Sequence, residues 1–177
     1  MKAFIVLADG FEEIEAVSVI DILKRANIKI IKAGVGSYTI KGDHGILIKT
    51  EKTLKEINPD DYNAIILPGG SKGVENLKES EILLKIIKRY DSQNKLVCAI
   101  CAAPLVLEKS GVLEKRNATI YPSLKSKIPI FRNKKVVQDG NIITSKGPAT
   151  AISFSLRITE NLTNKKTADK VKKRLLA

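Results

Sequence analysis

The chain has two cysteines, one histidine, one methionine and no tryptophan in 177 residues, and these scarcities exclude several chemistries. Two cysteines build no disulfide framework, which fits a reducing compartment and points to the cytoplasm. Together with the single histidine, His44, they are too few to complete a zinc ligand set, so no metal is expected. His44 lies in a turn region away from the cysteine motif, which argues against a Cys–His–Asp triad within one subunit. An aromatic content of 5% leaves few stacking platforms for single-stranded nucleic acid. Long apolar runs are missing as well. Ala3–Ala8 is too short to cross a membrane, gives way to Asp9, and lacks the longer core and small-residue cleavage site of a signal peptide. No linker, repeat or low-complexity tract divides the chain, so residues 1–177 read as one domain.

What the chain has in excess is lysine, giving a formal net charge of +12. The lysines are scattered through almost every segment, with one dense cluster at Lys165, Lys166, Lys170, Lys172, Lys173 and Arg174. Scatter of this kind describes a solvated surface and argues against nucleic-acid binding. Ala168, Val171 and Leu175 recur at helical spacing within the cluster, so the tail is expected to dock one face and expose the other.

Short apolar runs alternate with helical patterns. Strands are predicted at Ala3–Ala8, Ile28–Ala33, Ala64–Leu67 and Leu96–Ile100, and helices at Glu13–Ala26, Glu79–Asp91, Pro104–Lys109 and Ala149–Glu160. Continuous apolar strands between helices imply a parallel sheet covered on both faces, an α/β three-layer sandwich. Hairpins are predicted at Thr39–Thr50 and at Lys135–Ser145, the second following a strand near Ala118–Tyr121. In a flavodoxin-like strand order, 2-1-3-4-5, the loops after the first, third and fourth main strands meet at one rim. Those loops carry Asp9-Gly10-Phe11-Glu12-Glu13-Ile14-Glu15, Pro68-Gly69-Gly70 and Cys101-Ala102-Ala103-Pro104.

Cys101 is the centre of that rim. It sits where the strand ends and an apolar helix begins, an exposed elbow whose helix dipole is expected to lower the thiol pKa. Gly69-Gly70 after a strand offers bare N–H groups suited to an oxyanion. The first loop has one glycine and three glutamates, which would repel phosphate and argue against a dinucleotide. Helix-dipole preference accounts for Glu12 and Glu13, and periodicity alone does not separate them from Glu15. Cys98 and Cys101 are spaced as Cys-x-x-Cys, but three residues along an extended strand separate Cα atoms by about 10 Å, beyond disulfide reach. Cys98 is therefore read as a buried structural thiol.

Four segments in order, Ala8–Ala16, Ile66–Gly70, Ala99–Pro104 and Thr144–Pro148, resemble the ThiJ/PfpI superfamily. The closest likeness is to the DJ-one branch, that of the Parkinson's-linked oxidative-stress protein and its bacterial relatives. The resemblance implies a flavodoxin-like homodimer without a cofactor. It makes Cys101 the reactive cysteine, Glu15 a protonated carboxyl hydrogen-bonded to it, and the backbones of Gly70 and Ala102 the oxyanion donors. Many members carry a histidine before the proline of Ile120-Tyr121-Pro122. This chain has Tyr121, so that histidine's role does not carry over. Activities implied by the resemblance include glutathione-independent conversion of glyoxals to hydroxy acids, removal of early glycation adducts from proteins, oxidant sensing and chaperoning. A thiolate beside a neutral carboxylic acid suits an α-ketoaldehyde such as methylglyoxal, giving lactate. The alternative is a non-catalytic oxidant sensor or redox-regulated chaperone using the same thiol.

The first helix adds an expectation of its own. From Ile14 to Ala26 its polar positions Glu15, Ser18, Asp21 and Arg25 leave only a narrow stripe. So apolar a helix needs burial on a second side, either against a second copy across a two-fold axis or beneath the hairpin or tail helix of the same chain.

Overall fold

β-branched and aliphatic runs become the centre of one twisted sheet, and amphipathic segments become the helices covering it. The computed structural model describes residues 1–177. In chain order the first half is β1 (Lys2–Leu7), α1 (Glu13–Arg25), β2 (Lys29–Gly34), β3 (Thr39–Lys41), β4 (Leu47–Lys49), β5 (Lys52–Thr53), β6 (Ala64–Leu67), α2 (Ser71–Lys78) and α3 (Glu81–Ser92). The second half is β7 (Leu96–Ile100), α4 (Pro104–Lys109), β8 (Asn117–Ala118), β9 (Ile130–Phe131), β10 (Val136–Asp139), β11 (Ile142–Ser145), α5 (Ala151–Leu162) and α6 (Lys165–Leu175). No helix is long and apolar enough to cross a membrane.

The main sheet runs β10-β11-β7-β6-β1-β2-β5. Every pairing is parallel except β10 with β11. Its five central strands, β2-β1-β6-β7-β11, follow the expected 2-1-3-4-5 order, so the fold is the flavodoxin-like α/β sandwich. Strand pleating sends alternate residues to opposite faces. Phe4, Val6, Ile65, Leu67, Val97 and Ala99 meet the helices α2, α3 and α4 on one side. Ile5, Leu7, Ile66, Cys98, Ile100 and Ile143 meet α1 and α5 on the other.

Both predicted hairpins are present, with one difference in role. β11 does not stop at pairing with β10. It also lies parallel to β7 and completes the central sheet. The strand predicted near Ala118–Tyr121 is reduced to the two-residue β8, paired with β9 away from the main sheet. Its remaining N–H groups are used elsewhere. Thr119 donates to Thr144 Oγ1 at 2.9 Å and Tyr121 to the Cys101 carbonyl at 2.9 Å, and Pro122 ends any ladder. The unpredicted helix is α2, whose eight residues include Gly73 and offer only Val74 and Leu77 as buried apolar side chains. The tail behaves as its periodicity predicts. Asn164 caps α6 by accepting from the Thr167 N–H at 2.9 Å, Ala168 and Val171 are buried, and the lysines stay in solvent.

Candidate active site

Three loops converge at the C-terminal ends of β1, β6 and β7. The first begins α1. Glu12 caps that helix by accepting from the Ile14 N–H at 3.4 Å, and Glu15, three residues on, returns to the same helical face. Its carboxyl is fully buried, with Oε2 accepting the Gly69 N–H at 2.7 Å. Oε1 is buried with no hydrogen-bond partner of its own.

The second loop needs its two glycines. A Cβ on Gly69 would lie 2.6 Å from the Cys101 Cβ and 2.8 Å from Glu15 Oε2, space that the thiol and the carboxyl share. Gly70 has φ +94 and passes against the Gly10 carbonyl, which a side chain would strike. The third loop is the elbow. Cys101 holds φ +63, a left-handed conformation that costs a non-glycine residue roughly 1–2 kcal/mol. Two backbone hydrogen bonds of 2.9 Å keep it there, from its N–H to the Ser145 carbonyl and from the Tyr121 N–H to its own carbonyl.

The electrostatics correct one expectation. Cys101 is partly buried rather than exposed, and α4 behind it is only six residues long. Burial first, then the charge and hydrogen bond of Glu15, push the thiol up to about 12, although the Ala102 and Gly70 amides pull the other way. A depressed thiol pKa, as a bare helix terminus would give, is therefore not what the site has. Burial also raises Glu15 to about 7 against the lowering hydrogen bonds from Gly69 and Cys101, with Glu12 adding to the rise. Between those values the pair holds a single proton and a single negative charge. The two amides at the sulfur pull toward thiolate with neutral acid, while burial and the charge of Glu15 pull the proton onto sulfur.

The predicted residues Cys101, Glu15, Gly70 and Ala102 are thus brought together. Cys98 is fully buried, one face of β7 away, and burial holds its thiol well above the ordinary range. His44 is kept apart from the thiol, as expected, and does something periodicity could not reveal. Glu13 is buried beneath the β3–β4 hairpin, where Oε1 accepts the His44 N–H at 2.7 Å and Oε2 lies 2.9 Å from the imidazole Nδ1. Glu13 therefore latches the hairpin onto α1. The hairpin in turn brings Asp43 to the site, its N–H donating to the Phe11 carbonyl at 2.9 Å. Over the thiol lies a pocket of about 340 Å³ whose lining includes Glu12, Asp43, Ala102, Tyr121 and Leu124. Asp43 and the pocket role of Glu12 escaped the sequence reading, because a turn residue gives no signal of which loop it will face.

This elbow on this sheet defines a class, and the chain belongs to the DJ-1/PfpI family, whose model matches residues 1–161. It is 38% identical over 180 residues to the Drosophila melanogaster protein dj-1beta, covering 99% of this chain and 96% of that protein. It is 32% identical to the Parkinson disease protein 7 homolog of Danio rerio, covering 99% and 96%. Among solved structures, oxidized Toxoplasma gondii DJ-1 superposes with a TM-score of 0.96 at 35% identity, covering 99% of this chain and 97% of that one.

Proposed function

We propose that the protein converts reactive α-ketoaldehydes to hydroxy acids with Cys101 as nucleophile and Glu15 as proton carrier, without cofactor or glutathione. The observation that carries this reading is the buried Glu15 carboxyl placed against the Cys101 thiol. With methylglyoxal, the Cys101 sulfur bonds to the aldehyde carbon and the aldehyde oxygen takes the proton from Glu15, giving a hemithioacetal. The Gly70 and Ala102 amides steady the oxygen while it carries charge. Glu15, now a carboxylate, removes the proton from the former aldehyde carbon and returns it to the neighbouring one, while the hydroxyl proton passes to the ketone oxygen, leaving a lactoyl thioester. Water then cleaves the C–S bond, releasing lactate and restoring the thiol. Overall, one methylglyoxal and one water become one lactic acid, and nothing is oxidised or reduced externally. Lactate formation from methylglyoxal in glutathione-free buffer tests the reading, and its absence from folded protein would end it. The same chemistry would extend to early aldehyde adducts on proteins, and the site of action is read as the cytoplasm.

A second reading, oxidant sensing or redox-regulated chaperoning, is supported by the oxidised state named for the Toxoplasma gondii relative. Cys101 is accessible where Cys98 is sealed in β7, so mild peroxide is expected to add oxygen to Cys101 first. Peptide mass spectrometry checks the order. A sensor gains a binding or protective activity on that oxidation, whereas an enzyme only loses turnover.

The proposed assembly is a homodimer. α5 of the same chain packs along one side of α1, yet Ile14 and Val17 remain 58% and 48% exposed, and Ile46 and Leu47 of the hairpin are exposed also. Apolar side chains exposed on two adjoining elements are what a second copy would cover. Sedimentation at micromolar concentration is expected to give twice the 19.4 kDa chain mass; a clean monomer would refute the assembly.

A further inference from the structure

The pocket above Cys101 has two unlike walls. Tyr121, Leu124 and Pro148 supply the apolar lining, and Glu12 and Asp43 the acidic lining. No lysine or arginine lines it, although the chain holds 31 such residues against 19 acidic ones. The acidic wall therefore runs against the field of the molecule as a whole. His44 does not cancel it. The imidazole is 2.9 Å from Glu13 and 3.9 Å from Glu12, so even when protonated it is one charge facing Glu12, Glu13 and Asp43. Glu12 is fixed as the α1 cap, and the backbone of Asp43 is held at the pocket by its bond to Phe11 and by the Glu13 latch beneath the hairpin, its side chain being exposed.

We propose that Glu12 and Asp43 are specificity determinants which make this pocket admit neutral or cationic carbonyl compounds carrying an apolar arm and turn away carboxylate-bearing ones. The inference deepens the reaction proposed for Cys101 and rests on that reading for its substrate class. An incoming carboxylate must approach two like charges in a partly enclosed space, where screening is weaker than in open solvent. A neutral ketoaldehyde meets no such barrier, and a cationic one gains. A pocket of about 340 Å³ also leaves room beyond the aldehyde for that arm, which the Tyr121 wall would cover.

Thiol labelling reads the charge of the pocket whether or not any aldehyde is turned over, so it fails separately from the proposed reaction. Two methanethiosulfonates of similar size serve as probes, one ending in trimethylammonium and one in sulfonate. Each transfers its thioalkyl group to the Cys101 sulfur, an S–S bond forming as methanesulfinate leaves. The ratio of the two rates cancels changes in the ionisation of the thiol itself, and 2-mercaptoethanol provides the reference ratio. In the wild-type protein the cation-to-anion ratio is expected to exceed the reference by about tenfold, and to shrink with added salt. In Glu12→Gln/Asp43→Asn it should fall back toward the reference, with each single substitution intermediate. Glyoxylate turnover relative to methylglyoxal should rise in the same order. A wild-type ratio at or below the reference, or a ratio unmoved in both singles and the double, would overturn the proposal.

Discussion

Serine in place of Cys101 is expected to lower lactate formation from methylglyoxal by on the order of 10³-fold or more, in a protein that keeps its fold. The hydroxyl fits the elbow and leaves the hydrogen bonds to Ser145 and Tyr121 intact, because both are made by backbone. What it lacks is the acidity and nucleophilicity of sulfur, which a hydroxyl beside the same amides does not supply. Cys98→Ser provides the contrast. That side chain is sealed among the α1 and α5 contacts, so a hydroxyl there costs about 1–3 kcal/mol if left without a partner. Stability should fall in that variant while activity per folded molecule persists. Folded Cys101→Ser retaining most of the turnover would rule out covalent catalysis.

Glu15→Gln is expected to separate capture from turnover. The amide can still accept from the Gly69 N–H and fills the same space, but it carries no exchangeable acid proton. Aldehyde should add to Cys101 and remain there as a mass increment, while lactate release drops by about 10²–10⁴-fold. The pH dependence adds a second readout. Glu15 is raised to about 7 by burial, so the pair loses its first proton there, and wild-type activity should climb with pH through an acid limb near that value. The variant should lose this limb. The thiol itself should titrate lower than its present value of about 12, since the charge and hydrogen bond of Glu15 are among the causes that raise it. Thiolate absorbance against pH measures this directly. The raised carboxyl also bears on stability. The folded state binds the proton more tightly than the unfolded chain, so the contribution of Glu15 is fully present below the ordinary 4.5 and fades as pH rises through about 7. Near-normal turnover in Glu15→Gln would remove this carboxyl from the mechanism.

How far these residues could be read from the chain alone depended on whether their roles were local. The limits of β6, β7 and α4 match the predicted ones, because Pro68 stops β6, Lys95 precedes the apolar run of β7, and Pro104 opens α4 with Ser110-Gly111 after it. The 2-1-3-4-5 strand order was a supposition about fold type, and the meeting of three loops followed from it. The three glutamates of the first loop were different. Spacing puts Glu12 and Glu15 on one helical face, but only the β3–β4 hairpin, arriving from thirty residues downstream, tells Glu13 from either. The thiol pKa was misjudged for a related reason. A helix terminus is visible in a sequence, whereas burial and a carboxylate from another loop are products of the finished fold.

The strained elbow is held by Ser145 and Tyr121, and both anchors lie downstream of Cys101 in the chain. A growing polypeptide therefore carries an ordinary cysteine long before it owns the elbow. The sulfur gains its geometry only when β11 docks beside β7 and the segment entering Pro122 closes over the turn. The elbow is in this sense a late product of biosynthesis, and a truncated chain would carry the residue without its geometry.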